Sequence, residues 1–233
     1  MWVLIVALAA QNVIQPQGLQ AVFDAAVMAD GTVDYAKLKA DPDLQSALDS
    51  YVLSLDKVNP LDLNARNERI AFFANAYNAC TLKGVLEAWP VDSVRDIKRF
   101  FGFFTQERWS IGGRKYALND IEKEWLRPVD PGIHFIINCA SRSCPKLTRI
   151  VFTADNVESA MEQLAKEFVL DATKNRFRED GVWELSKIFD WYEGDFGGRQ
   201  AVIATVNRLR GTDEKPKRIH YLEYDWSLNG PTQ

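Results

Sequence analysis

The stretch Glu68-Arg69-Ile70-Ala71-Phe72-Phe73-Ala74-Asn75-Ala76-Tyr77-Asn78-Ala79-Cys80-Thr81-Leu82-Lys83-Gly84-Val85-Leu86-Glu87-Ala88-Trp89 decides the fold. Ile70, Phe73, Ala74, Tyr77, Thr81, Leu82, Val85 and Leu86 recur at helical spacing and form a broad apolar face, and Trp89-Pro90 stops the run. The spacing predicts a central core helix. Asn75 and Asn78 interrupt it with poor helix formers, three residues apart and therefore neighbours on one face. Such residues serve something other than helix formation: they line a pocket, or they hydrogen-bond to buried loop backbone, the commoner task of an interior asparagine.

Working outward toward the N-terminus, Asp41-Pro42 opens a helix through about Leu55, with Leu44, Leu48 and Val52 on one face. Before it, Val33 to Leu38 reads as a short extended piece, and Gln17 to Met28 as an amphipathic helix carrying Leu19, Val22, Phe23 and Val27. Toward the C-terminus, Gly112-Gly113 turns a β-hairpin from Arg108–Ile111 into Arg114–Leu118, and Asn119 or Asp120 caps a helix over Ile121 to Leu126. Ile133 to Cys139 is apolar at nearly every position, the pattern of a strand interior to a sheet. A helix capped by Thr153 or Asp155 follows, with Val157, Met161, Leu164 and Phe168 aligned. Asp180-Gly181 joins a second hairpin, 175–178 with 182–185; short helices over 187–192 and 200–208 lead to an alternating final strand at 218–226. The group Phe189, Trp191, Tyr192 and Phe196 reads most simply as core. Helices and hairpins mix without a βαβ rhythm, so the fold class expected is α+β: a mixed or mainly antiparallel sheet packed against the long central helix and several amphipathic helices.

The 233 residues are within reach of one domain, expected over 11–233, and 47% hydrophobic against 26% charged residues is an ordinary folding balance. A net charge of −4, from 28 Lys plus Arg against 32 Asp plus Glu, gives no pull toward phosphate backbones, so nucleic acid is not an expected partner. Met1 to Ala10 is an apolar run about half the length of a membrane span, and Ala7-Leu8-Ala9 fits the small-x-small pattern of a signal-peptidase site. Residues 1–10 are thus a candidate signal peptide, and a periplasmic or secreted protein without an integral span is the expectation. The run lacks Lys or Arg ahead of it; its alternatives are a buried N-terminal helix or an uncleaved anchor, in a protein that stays cytoplasmic.

Chemistry concentrates in His134-Phe135-Ile136-Ile137-Asn138-Cys139-Ala140-Ser141-Arg142-Ser143-Cys144-Pro145. On an ideal strand His134 and Asn138 point one way, while Cys139 points the other way with Phe135 and Ile137, toward the core. Cys144 precedes Pro145 and so reads as the N-cap of a short helix, where free N–H groups, together with Arg142, favour a thiolate. A nucleophilic mechanism would use Cys144 as thiolate and His134 as base or acid, with Glu122, Asn78 or Asn75 fixing the imidazole. Pro145 has no N–H to give an oxyanion hole. The opposing reading of the same residues is a structural disulfide between Cys139 and Cys144, with four residues between them to turn the chain. A redox role for the pair meets the objection that thioredoxin-like motifs carry two intervening residues, not four. Cys80, mid-helix among apolar neighbours, is a packed thiol. With two histidines and no zinc-finger spacing, no metal is expected, and no other cofactor either. Glu122, Arg127 and Lys187 are candidates to pair across a site.

Several strings in order resemble domain-of-unknown-function family 547: Phe72 to Ala79, Trp89 to Ile97, Leu118 to Glu122, Leu126-Arg127-Pro128, and His134-Phe135 through Asn138-Cys139 to Ser143-Cys144-Pro145. Leu185 to Tyr192 with Asp195-Phe196, and Tyr224 to Asn229, complete the set, so the resemblance covers 68–229. It implies that Asn75, Asn78, Glu122, Arg127, His134, Cys139, Cys144 and Lys187 occupy motif positions. Lys123 stands where family members often carry His. The resemblance implies positions without a reaction. Two functions therefore stay open: a thiol-dependent hydrolase or acyltransferase on peptide-like or amide bonds, using Cys144, His134 and Glu122; or a non-catalytic binding or envelope-interaction domain for a small-molecule or peptide ligand, in which Asn75, Asn78, Arg127 and Lys187 hold a pocket and Cys139 and Cys144 close a clip.

Overall fold

The computed structural model describes residues 16–98 and 101–231, so the expected signal peptide at 1–10 lies outside the described residues. Around the predicted central helix, Arg66–Ala88, are gathered Pro16–Ala26 (α1), Tyr35–Ala40 (α2) and Pro42–Ser54 (α3), which precede it in the chain and make it α4. The Asp41 carboxylate accepts from the N–H groups of Asp43 and Leu44, and Pro42 fills the first turn, as the sequence requires of a helix start. The segment Val33 to Leu38 is not extended. Asp34 accepts from the Lys37 N–H and caps α2, and Val33 alone keeps a single bridge to Val27.

Beyond α4 come Val94–Ile97 (α5), Gly102–Thr105 (α6) and the antiparallel hairpin Trp109–Ile111 (β1) and Arg114–Tyr116 (β2). Leu118–Asp120 (α7) then widens into a π-helical turn, Ile121–Leu126, in which the Arg127 N–H reaches back five residues to the Glu122 carbonyl. Val157–Leu170 (α8), Arg176–Phe177 (β3), Val182–Leu185 (β4), Ile188–Trp191 (α9), Arg199–Arg210 (α10) and Arg218–Tyr221 (β5) complete the chain. β3 pairs antiparallel and β5 parallel with β4, so the predicted last strand stops at Tyr221 and its continuation Tyr224–Trp226 is free to face elsewhere. The fold is α+β.

Two cores result. The larger one surrounds α4, where Ile70, Phe73, Leu82 and Val85 are buried with Leu19, Phe23, Leu38 and Leu48. The smaller one joins α8, α9, α10 and β4 through Phe168, Phe189, Val202, Val206 and Trp183, so the three-stranded sheet packs onto these helices rather than onto α4.

The predicted strand Ile133–Cys139 is the main correction. Pro131–Phe135 is a 3-10 turn whose Asp130 carboxylate accepts from the Gly132 N–H at 2.6 Å, and irregular backbone follows. Its continuous apolar character has another cause: Ile133 and Ile136 fill the first core while Phe135 fills the second. The segment is buried on both sides because it runs between two cores, not because it lies within a sheet.

Candidate functional site

The irregular segment keeps its buried peptide groups satisfied through α4. Asn78 donates from Nδ2 to the Ile136 carbonyl at 3.0 Å and accepts the Asn138 N–H at 2.8 Å; Asn75 does the same for Phe152, at 2.8 and 3.0 Å. Each side-chain amide takes the place of a neighbouring strand's peptide, which explains two poor helix formers at the centre of a buried helix. Asn138 continues the network, donating to the Pro145 carbonyl at 2.7 Å and accepting from the Ala140 N–H at 2.8 Å. Asn229 donates to Asn138 at 3.2 Å and accepts from the Tyr35 hydroxyl at 2.7 Å.

This network frames the loop from Asn138 to Pro145. Cys139 and Cys144 are joined in it as a disulfide, with Cα atoms 6.3 Å apart. No helix begins at Cys144, so the expected N-cap thiolate environment is not formed. Cys139 is partly buried and packs against the first core, though not from a strand, and its sulfur also reaches the cavity wall. The Cys139 N–H donates to Cys144 Sγ at 3.0 Å, and the Tyr224 hydroxyl lies against both sulfurs, 3.1 Å from Cys144 Sγ and 3.2 Å from Cys139 Sγ. Ser141 Oγ lies 2.9 Å from Cys139 Sγ and donates to Tyr224 Oη at 3.1 Å. Ala140 between them is left-handed at φ 61°, a conformation costing about 1–2 kcal/mol for a residue with a Cβ. The Asn138 acceptor and the bond from the Asn229 N–H to the Ala140 carbonyl hold it there.

Facing the loop is a charged cluster. Asp195, between α9 and α10, takes the Arg127 guanidinium in a two-bond fork at 2.6 and 2.8 Å and also meets His134 Nε2 at 2.8 Å. The fork holds the Asp195 carboxyl below the usual carboxylate range. His134 is 3% exposed and stacked on Tyr192, ring centroids 3.7 Å apart. Burial pushes its pKa down to about 4 despite the Asp195 hydrogen bond, so the imidazole is neutral at pH 7. Glu122, in the π turn, is 6% exposed. Burial raises its proton affinity; the Tyr192 hydroxyl and Arg127 oppose this more weakly. A π turn is rare and often marks a functional site, and this one sets the Glu122 side chain on the same wall as His134.

Glu122, His134 and Tyr192 share with the bridged cysteines a cavity of about 390 Å³. Glu122, His134, Cys139 and Cys144 supply its polar and sulfur-bearing wall, and aromatic rings supply most of the rest. Trp191, Tyr224 and Trp226 form a cluster with centroids 4.6 to 5.7 Å apart, extended by Phe101 at 5.5 Å from Trp226. Trp191 and Tyr192, read from the sequence as core, therefore line the cavity, whereas Phe189 and Phe196 are buried in the second core. Trp191 remains 44% exposed.

Of the residues singled out in the sequence, Cys144, His134 and Glu122 come together on this wall, and Arg127 stands behind it on Asp195. Asn75 and Asn78 are buried in loop-holding bonds. Lys187 is set apart, paired with Asp190 at 2.7 Å and lying over the Tyr221 ring. Cys80 is a buried free thiol whose pKa burial pushes up. Asp195, Tyr224 and Trp226 carry no role in the sequence reading; the strings Asp195-Phe196 and Tyr224–Asn229 were the available signal. Among the described residues no helix is long and apolar enough to cross a membrane.

Residues 60–169 match the family model described as a protein of unknown function, DUF547. That span includes α4, the π turn, His134 and both bridged cysteines. No curated protein and no solved structure matches the chain.

Proposed function

Proceeding from a DUF547-like protein, we propose that it is a binding domain for a small, largely apolar organic ligand carrying a hydrogen-bond donor or a cationic group. The observation that carries this reading is the cavity in which a buried carboxyl, Glu122, shares the wall with a cluster of aromatic rings. A volume of about 390 Å³ falls in the range of small-molecule sites, whose walls are mostly apolar with a few placed polar groups. The charge count favours a donor over an acid. Glu122 is the carboxyl on the wall, Arg127 and Asp195 behind it neutralise each other in their fork, and His134 carries no charge at neutral pH. Aromatic faces add attraction for a cation held near them.

Export, expected from Ala7-Leu8-Ala9, belongs to the same reading, because an oxidising compartment keeps Cys139 and Cys144 joined as one wall of the cavity. The test is tryptophan fluorescence of the full chain titrated with arylalkylamines and with arylalkanoic acids of the same size. Saturable quenching by the amines, lost in Glu122→Gln, is expected. Equal response to the acids, or none to either set, would refute the reading.

A second reading, thiol-dependent hydrolysis or acyl transfer on a peptide-like or amide bond, is favoured by the shared wall of Cys144, His134 and Glu122. It requires the reduced pair, since a bridged sulfur is no nucleophile.

A further inference from the structure

The hydrogen bonds around the bridge are arranged for a different sulfur species from the one a purely structural clip contains. A disulfide sulfur is a weak acceptor and needs no donors; a thiolate needs them. Yet the Cys139 N–H aims at Cys144 Sγ at 3.0 Å, and the Tyr224 hydroxyl sits within reach of both sulfurs, 3.1 Å from Cys144 Sγ and 3.2 Å from Cys139 Sγ. Tyr224 is fixed in turn by Ser141 and by the aromatic cluster, and burial together with Glu122 keeps its phenol protonated and able to donate. The two sulfurs also differ in access. Cys144 is 7% exposed, while Cys139 is only half-buried. Cys144 and Pro145 border a second cleft of about 790 Å³ behind the aromatic cavity, so the bridge is a partition between two open clefts. Glu122 and neutral His134 face it from the cavity; Arg142, Lys146 and Lys174, against Asp171 and Asp225, face it from behind.

We propose that Cys139–Cys144 is a thiol–disulfide exchange couple, with Cys139 the sulfur attacked and Cys144 the leaving thiolate. A thiolate of a dithiol reductant attacks Cys139 Sγ and forms a mixed disulfide. The Cys139–Cys144 bond breaks, its electron pair staying on Cys144 Sγ, where the two donors receive it. The reductant's second thiolate then attacks its own bridged sulfur, closes its disulfide and releases Cys139 as thiolate. The reductant has lost two electrons, the protein has gained them, and the two thiol protons pass to the cysteine thiolates or to solvent. A leaving group stabilised as thiolate departs faster, and the same stabilisation favours the reduced state. The couple does not depend on a ligand in the aromatic cavity.

The test uses the folded full chain with dithiothreitol. Samples are quenched in acid, alkylated and mapped by peptide mass, which separates Cys139 and Cys144 from Cys80, while circular dichroism follows the fold. Reduction without unfolding is expected. Reduced protein given limiting iodoacetamide at pH 7 should be modified mainly at Cys144. Tyr224→Phe should slow both bridge reduction and Cys144 alkylation roughly three- to tenfold, the effect of losing one hydrogen bond to a charged sulfur. Ser141→Ala, which only loosens the Tyr224 hydroxyl, should give a smaller slowing in the same direction and serves where the Tyr224 variant misfolds. Reduction that needs denaturant, preferential alkylation of Cys139, or rates unchanged within twofold in a folded Tyr224→Phe protein would overturn the proposal.

Discussion

Replacing Asn78 by Ala tests the central structural argument, that a helix side chain stands in for a missing strand. The substitution removes the donor to the Ile136 carbonyl and the acceptor of the Asn138 N–H, bonds of 3.0 and 2.8 Å in a residue 2% exposed. Alanine itself is an excellent helix former, so local propensity would be improved, and any loss must come from the stranded peptide groups. Leaving one buried donor or acceptor unsatisfied costs about 1–3 kcal/mol, so the pair costs roughly 2–6 kcal/mol, and about 4 is the working figure. With a urea dependence of about 2–3 kcal/mol per molar, the unfolding midpoint should fall by roughly 1–2 M. Asn78→Asp separates the two bonds: it keeps the acceptor for Asn138 but turns a carboxyl oxygen toward the Ile136 carbonyl, and should be no better than alanine. Asn64→Ala, on an exposed residue bonded only to the Asp62 carbonyl, should change stability by less than about 0.5 kcal/mol. Equilibrium unfolding followed by far-ultraviolet circular dichroism gives all three numbers. A loss below about 1 kcal/mol for Asn78→Ala would show that the loop finds other partners, and the strand-mimic argument would be wrong.

The ionisable groups give two further outcomes of opposite sign. The folded-state pKa of His134, about 4, lies below its ordinary 6.5, so the unfolded chain binds more protons between these values. Stability contributed by neutral His134 is full above about pH 6.5 and is lost as pH falls toward 4, by roughly 3 kcal/mol. His134→Asn should flatten that part of a stability-against-pH curve, and an unchanged slope would refute the assignment. Glu122 behaves the other way: its raised folded pKa means stability is greatest with the carboxyl protonated and declines as pH rises through that pKa. Glu122→Gln should therefore melt at a higher temperature than the natural protein at pH 7, the gap closing toward pH 4; calorimetry showing the reverse order would contradict it.

The parts of the fold that rest on local periodicity were legible in the sequence: α3, α4 and α8 fall where their apolar spacing places them, α3 with its predicted Asp41 cap, while α8 begins at Val157 after Asn156 and not at a Thr153 or Asp155 cap; Gly112-Gly113 turns the predicted hairpin. The segment from Ile133 was not, because continuous burial has the same sequence pattern whether a chain lies inside a sheet or threads between two cores. The discriminating signal was upstream, in Asp130-Pro131-Gly132, which favours a capped turn over a strand entry. The candidate wall was half legible. Glu122, His134 and Cys144 could be singled out by type, but their partners lie far along the chain. Asp195 is 61 residues from His134, and Tyr224 is 80 residues from Cys144. Cys139 does pack against the first core, but strand alternation was the wrong ground for expecting it, since alternation has meaning only on a strand.

Taken together, the bonds around the cysteine loop separate what holds its position from what closes it. Asn138 ties Ala140 to Pro145 across the bridge, Asn78 ties Asn138 to α4, and the backbone of Arg142 and Ser143 bonds to Ser227 and Asp225. None of these bonds passes through sulfur. A disulfide closing so short a loop removes little unfolded-chain entropy compared with one closing a long loop, and the loop's shape is already fixed without it. The bridge is therefore poorly placed to be the main source of stability and well placed to be opened locally. The reduced protein is expected to keep its fold and its aromatic cavity, with two thiols lining the wall. The left-handed Ala140 and the buried Glu122 point the same way, since neither helps the chain to fold. Their costs are borne at the one place where the carboxyl, the rings and the sulfurs meet.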